Sequence, residues 1–178
     1  HSDHRRQRQM CIRDSSYKLS KESTIENVHT KEVSTEFGEF RLDVWRDVIF
    51  DEHHFSLTKG SPEKADVPMV RVQTQSVLQD TLGIDEIGKK WSIRKSLQKI
   101  SEEGTGVFVL INHRDAKTYW LSSLKDENIE PKRNRRVIGI GSQILRSLGL
   151  SRINVLGTPT KYSGLSGFNI EIEGFIDE

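Results

Sequence analysis

Cysteine is all but missing: the 178 residues hold one, Cys11, and none follows it. Internal disulfides and thiolate metal sites are thereby excluded from the rest of the chain. Long apolar runs are missing too. No stretch approaches the ~20 residues of a membrane helix, and the N-terminus lacks the apolar core of a secretory signal. A cytoplasmic protein with no membrane role is therefore expected. One-sided charge is also lacking. The 27 Lys and Arg nearly balance 26 Asp and Glu, for a net charge of +1, so neither nucleic acid nor an anionic surface is an expected partner. What is there is 34% hydrophobic and 30% charged, polar but foldable, and long enough for one domain with a real core.

Residues 1–15, HSDHRRQRQMCIRDS, carry no hydrophobic periodicity. They read as the translated remnant of a sequencing adapter rather than as a native arm, and they stand apart from the fold. Their four arginines and two aspartates leave the remainder near −1. Residues 16–34 are polar, with a short helical pattern around Leu19, Ile25 and Val28. They read as a linker or the end of something upstream. The domain is expected over 35–178.

In EFRLDVWRD, Phe40, Leu42 and Val44 alternate with charged neighbours, the mark of a half-buried strand. HHFSLTKG repeats the alternation with Phe55 and Leu57, so the two read as an antiparallel hairpin. SPEKADVP is a loop and MVRVQT a third strand. Ile93, Leu97 and Ile100 recur at helical spacing, with Gly104 just past the end where a capping glycine belongs. GVFVLIN is a continuous apolar run, a strand buried on both faces. Residues 115–124 read as a polar helix. Ile140, Ile144 and Leu148 mark another helix, closed by Gly149; INVL and GFNIEIEGFI are further strands. The expected class is α+β: a mixed sheet with an antiparallel N-terminal hairpin, packed against about three helices.

Gly139 and Gly141 open that later helix in this reading. A dinucleotide fingerprint would need a strand just before them and a third glycine where Ile144 stands. PKRNRR is no strand, so the expectation is a tight turn where helix packs closely on sheet.

The segments TEFGEFRL, LTKG, PMVRV, GIGSQILRSLGL and KYSGLSGFNIEIEGF follow in an order and at spacings that resemble the GTP cyclohydrolase II family of riboflavin biosynthesis, from Thr35 to Ile176. Tyr17 to Val28 is similar to the end of a 3,4-dihydroxy-2-butanone 4-phosphate synthase domain, which in many bacteria is fused ahead of a cyclohydrolase II domain. The resemblance implies a catalytic zinc held by three cysteines, in a stretch reading His-Ser-Glu-Cys and then Cys-x-Cys. An ungapped alignment puts those cysteines on Ser76, Ile87 and Lys89. Zinc takes thiolate, imidazole or carboxylate. An isoleucine offers no lone pair, a lysine brings a positive charge, and a serine hydroxyl is a poor donor. Without zinc no water is activated to open the guanine imidazole ring.

Other family positions depart as well. The glutamate before the first cysteine falls on Gln75. The Glu-Gly-Arg loop that meets the triphosphate falls on Arg114, Asp115 and Ala116. The acidic residue two before the catalytic arginine falls on Asn134. The catalytic tyrosine has no counterpart in frame, Tyr119 being nearby but displaced. What persists is Arg71, Arg136 and Lys161, three basic residues that either hold a nucleotide phosphate or are plain surface charges.

Asp51, Glu52, His53 and His54 have metal-capable side chains at a hairpin turn, where strand neighbours point apart, and read as a solvated turn. Asn112 to Asp115, at the end of the buried strand, would place a His–Asp pair for acid–base work, with no nucleophile beside it.

The leading expectation is a cyclohydrolase II-like domain that kept its frame and lost its zinc chemistry. It would have no cofactor of its own. An upstream, magnesium-dependent synthase domain would do the catalysis, and this domain would support dimerisation, stability or regulation. Two rivals stay open. One is an active cyclohydrolase with a metal site rebuilt on Asp80, Asp85 or Glu86, although carboxylates alone favour magnesium. The other is a GTP sensor built on Arg71, Arg136 and Lys161.

Overall fold

The computed structural model describes residues 23–84, 91–112, 131–159 and 168–177, with backbone alone for 131–135. The tail at 1–15, residues 16–22 and the polar segment 115–124 lie outside the described residues.

Among the described residues seven strands form one mixed sheet: β1 (Ile25–Thr35), β2 (Gly38–Asp47), β3 (Glu52–Lys59), β4 (Met69–Thr74), β5 (Gly106–Ile111), β6 (Arg152–Leu156) and β7 (Glu171–Ile176). Their spatial order is β1-β2-β3-β5-β4-β6-β7. Neighbours from β1 to β5 pair antiparallel, and those from β5 to β7 pair parallel. Two long helices are described, α1 (Ile93–Glu103) and α2 (Pro131–Ser147), one on each face of the sheet. Neither is long and apolar enough to cross a membrane.

The boundary expected at residue 35 moves back, because 25–34 is strand, not linker or helix. Its outward positions are exposed almost throughout. An edge strand needs no apolar alternation, and its charges blunt an otherwise sticky edge. That is why its sequence reads as a tether. Ile25 alone is buried deeply, and a bulge at Val28 shifts the register between Asn27 and His29.

The hairpin of β2 and β3 forms with Trp45 opposite His54 and Leu42 opposite Leu57. The expected inside is incomplete. Phe40 is buried, but Leu42 and Val44 are half-buried, whereas Asp43, Trp45 and Asp47 are buried. On β3 the polar set Glu52, His54, Ser56 and Thr58 is buried and Phe55 and Leu57 are not. With a helix over each face, neither face of the hairpin is simply outside. Phe40 packs with Leu97, Ile100 and Phe108 on the α1 side; Trp45 packs with Ile140 and Ile144 on the α2 side.

Helix α1 follows its sequence pattern closely. Ser92 accepts a hydrogen bond from the Lys95 N–H at its N-terminus, and Gly104, at φ 78°, ends it. Helix α2 begins at Pro131, a residue suited to a first turn that has no use for its N–H. The glycine pair therefore lies inside the helix rather than at its start. The close packing expected of it is present without a turn: a Cβ on Gly141 would sit 2.7 Å from Val72 Cγ1 on β4.

The two glycines should respond oppositely to alanine. Gly141→Ala gains about 1 kcal/mol of helix propensity but forces a stiff β-branched neighbour aside, a cost of about 1–3 kcal/mol. A lower urea midpoint is expected, partly restored by Val72→Ala in the same chain. At Gly139 the added carbon meets Phe168 at 3.7 Å, ordinary contact, so Gly139→Ala should raise stability by about 0.5–1 kcal/mol.

Candidate functional site

In an open sheet with parallel strands, function gathers beyond their carboxyl ends. Here those ends belong to β4, β5, β6 and β7. The segment after β4 carries Ser76, where the resemblance puts the first metal-ligating cysteine, the loop after β5 begins at Asn112, and Gly157 follows β6. Of the sequence candidates, Ile87, Lys89, Asp85, Glu86, Lys161, Arg114, Asp115, Ala116 and Tyr119 lie outside the described residues, as does the side chain of Asn134.

After β4 the chain makes one π-helical turn, Val77–Thr81. Ser76 caps it, its Oγ accepting from the Gln79 N–H at 3.4 Å. Asp80 works in the same place. Its Oδ2 accepts from the Ser76 N–H at 2.8 Å and its Oδ1 from the Ile93 N–H at 3.2 Å. One carboxylate thus fastens Ser76 to the start of α1. Zinc does not fit what is described: the hydroxyl of Ser76 serves as a cap, and Asp80 is committed to two amides. No three His, Cys, Asp or Glu side chains gather around one point among the described residues. Asp80→Ala leaves both amides without their acceptor and should cost about 1–3 kcal/mol. Urea unfolding with and without chelator checks this, and chelator should move neither midpoint.

The persistent arginines do not converge. Val70 and Val72 pack toward α2, so Arg71 points to the α1 side. There it is buried: Nη1 donates to the Leu156 carbonyl at 2.6 Å, Nη2 to the Trp91 carbonyl at 3.3 Å, and Nε to Gln73 Oε1 at 2.9 Å. It ties β4 to β6 and to the approach to α1. Arg136 lies on the opposite side, on α2. Its Nη2 meets Glu52 Oε2 at 2.5 Å and Asp47 Oδ2 at 3.7 Å, and its guanidinium lies 3.9 Å from the Phe50 ring centroid.

The arrangement around Arg136 overturns the reading of Asp51 to His54 as a solvated turn. Asp51 and His53 are exposed, but Glu52 is buried and His54 is fully so. Asp47 and Glu52 are directly opposed across the hairpin. Two buried carboxylates side by side need a cation, and α2 supplies it. The neighbouring His54 is neutral. Its Nδ1 accepts from the Asn112 N–H at 3.1 Å, which puts its proton on Nε2. Burial pushes its pKa from 6.5 down to about 4, against the upward pull of Asp47 and Glu52 and with help from Arg136 and His53. Asn112 itself is structural: its Nδ2 donates to the His53 carbonyl at 2.8 Å. The His–Asp pair expected there, His113 and Asp115, lies outside the described residues.

Asp47 and Glu52 were not singled out by the sequence as partners of Arg136. A signal exists: acidic residues close both ends of a short hairpin turn, in facing register. A separate shallow depression of about 490 Å³ is lined by Asn27, Arg41, Asp43 and Trp45, among others. The Asp43 carboxylate there is likewise occupied, with Arg41 Nε at 3.1 Å and Thr30 Oγ1 at 2.6 Å.

A family model described as GTP cyclohydrolase II matches residues 26–177, which begins within β1. The chain is 30% identical over 166 residues to a 3,4-dihydroxy-2-butanone 4-phosphate synthase of Pseudomonas aeruginosa, covering 90% of this chain and 45% of that protein. It is 30% identical over 171 residues to riboflavin biosynthesis protein RibBA of Cytophaga hutchinsonii, covering 88% and 42%. A solved structure, RibBX, described as a two domain 3,4-dihydroxy-2-butanone 4-phosphate synthase from A. baumannii, superposes with a TM-score of 0.64 at 26% identity over 92% of this chain and 43% of that one. The chain thus spans less than half the length of these relatives.

Proposed function

The chain belongs to the GTP cyclohydrolase II family, and from that premise we propose that it is a domain of riboflavin biosynthesis that has lost zinc and the ring-opening reaction. Its role is to support a 3,4-dihydroxy-2-butanone 4-phosphate synthase domain upstream in the same cytoplasmic protein. The observation that carries this reading is the employment of the surviving polar groups. Arg136, at the place of the family's catalytic arginine, is held by Glu52 and Asp47. Arg71 is spent on two carbonyls, and Asp80 on two amides. A guanidinium anchored to buried carboxylates is poorly placed to meet a triphosphate, because an incoming anion must displace it from partners of the same sign. The fold needs these contacts to bury its core, and a frame outlives its chemistry when packing alone is at stake.

The relatives' names favour the same direction, since proteins matched over most of this chain are named for the synthase reaction or for riboflavin biosynthesis. Four measurements test the reading. Elemental analysis of purified chain should find zinc far below one equivalent, and incubation with GTP should give no ring-opened pyrimidine. Calorimetry with GTP should give no heat. The complete fusion should keep synthase activity on heating several-fold longer than the synthase domain alone, a kinetic-stability effect. One zinc per chain with turnover would restore the cyclohydrolase. Saturable GTP heat from the folded chain would restore the sensor. Equal inactivation rates would remove the supporting role.

A further inference from the structure

The turn joining β2 to β3 presents Val48, Ile49 and Phe50, which are 44%, 41% and 37% exposed. Turns of this size are ordinarily made of Gly, Asn, Asp and Ser. Single exposed apolar residues are normal, but three in succession on a projecting tip mark a surface meant to be covered.

The tip is firmly built. Buried Asp47 accepts from the Ile49 N–H at 2.9 Å and the Phe50 N–H at 3.3 Å through one oxygen, Oδ1. Arg46 and Asp51 close its base at 2.9 Å. The Arg136 guanidinium backs the Phe50 ring. The Val48 N–H donates to the Thr24 carbonyl at 3.0 Å, which fastens the tip to the residue just before β1, where the chain comes into the sheet.

We propose that this tip docks onto the domain preceding residue 23 in the full-length protein, beside their covalent junction. The inference rests on the fusion reading above and gives it a contact surface. Position argues for that occupant, because the preceding chain arrives within one hydrogen bond of Val48. Size argues for it too. Three side chains fall far short of the ~800 Å² per partner of a stable intermolecular interface. A tethered neighbour at an effective concentration of about millimolar needs much less.

The test compares the 178-residue chain with the complete protein read from the gene upstream of residue 23. Amide exchange at residues 48–50 should be at least ~10-fold slower in the complete protein. The double variant Val48→Ser/Ile49→Ser should abolish that difference. It should leave the urea midpoint of the 178-residue chain unchanged, since both side chains are exposed there. Equal exchange in the two proteins would overturn the docking while leaving the fusion intact. An upstream frame with no synthase domain would overturn the fusion and this inference together. Self-association of the 178-residue chain, abolished by the double variant, would assign the tip to a second copy and overturn it as well.

Discussion

Replacing Arg136 by methionine should be among the most damaging single changes the domain can suffer. The Asp47 carboxylate is fully buried, and its Oδ2 has no hydrogen-bond donor among the described residues; the guanidinium 3.7 Å away is its countercharge. Glu52, opposite it in the hairpin, loses a contact of 2.5 Å. Breaking a buried ion pair from one side costs about 3–5 kcal/mol. With a urea slope of about 2 kcal/mol per molar, the midpoint should fall by about 2 M. Partnering the change with Glu52→Gln should recover much of the loss, since one fewer carboxylate is then left facing Asp47. Urea unfolding of the two single variants and the double closes the cycle. A loss below ~1 kcal/mol, typical of an exposed pair, would show that the cluster is a surface contact.

The second large effect is a loss of stability in mild acid. His54 has a folded-state pKa lowered to about 4 from an ordinary 6.5, chiefly because burial penalises the imidazolium. Between those values the unfolded chain binds a proton that the folded chain refuses. Stability from this group is therefore complete above about pH 6.5 and is lost as pH falls toward 4. The loss is about 3 kcal/mol, since each pH unit between the two values is worth about 1.4 kcal/mol. His54→Asn keeps an acceptor for the Asn112 N–H and cannot titrate. Its stability should fall less steeply from pH 6.5 to 4, and the difference in slope between the two proteins isolates His54 from the carboxylates. Parallel pH profiles would refute the assignment. The two predictions are coupled: Arg136 helps to lower the His54 pKa. In Arg136→Met the imidazole should therefore accept its proton at higher pH, and the His54 part of the acid loss should shrink.

Much of the fold was legible where burial imposes a period. The apolar run of β5, the helical spacing of Ile93, Leu97 and Ile100, and the glycines after both helices all stand where the sequence puts them. The start of the sheet was not, because β1 lies at an edge and has almost no inside. Nor was the polar interior of β3, since alternation says which residues share a face but not which face a distant helix will cover. The glycine pair looked like a beginning because glycine weakens helices; its reason is Val72, far away in sequence. The family's metal positions rest on the resemblance alone. What became of the other groups could not be read from the sequence. Arg136 and Glu52 are 84 positions apart, and Arg71 and Leu156 are 85.

The strand order has a consequence for synthesis on the ribosome. β5 is inserted between β3 and β4, so the central row of the sheet stays open until residues 106–111 have emerged. The β1–β2–β3 meander closes through short local loops and can form while the rest is still being made. β4 cannot: its in-sheet neighbours, β5 and β6, are both translated after it. The nascent chain must therefore carry the unpaired edge of β3 and an apolar orphan strand together, and this interval is when a chaperone would find most to hold.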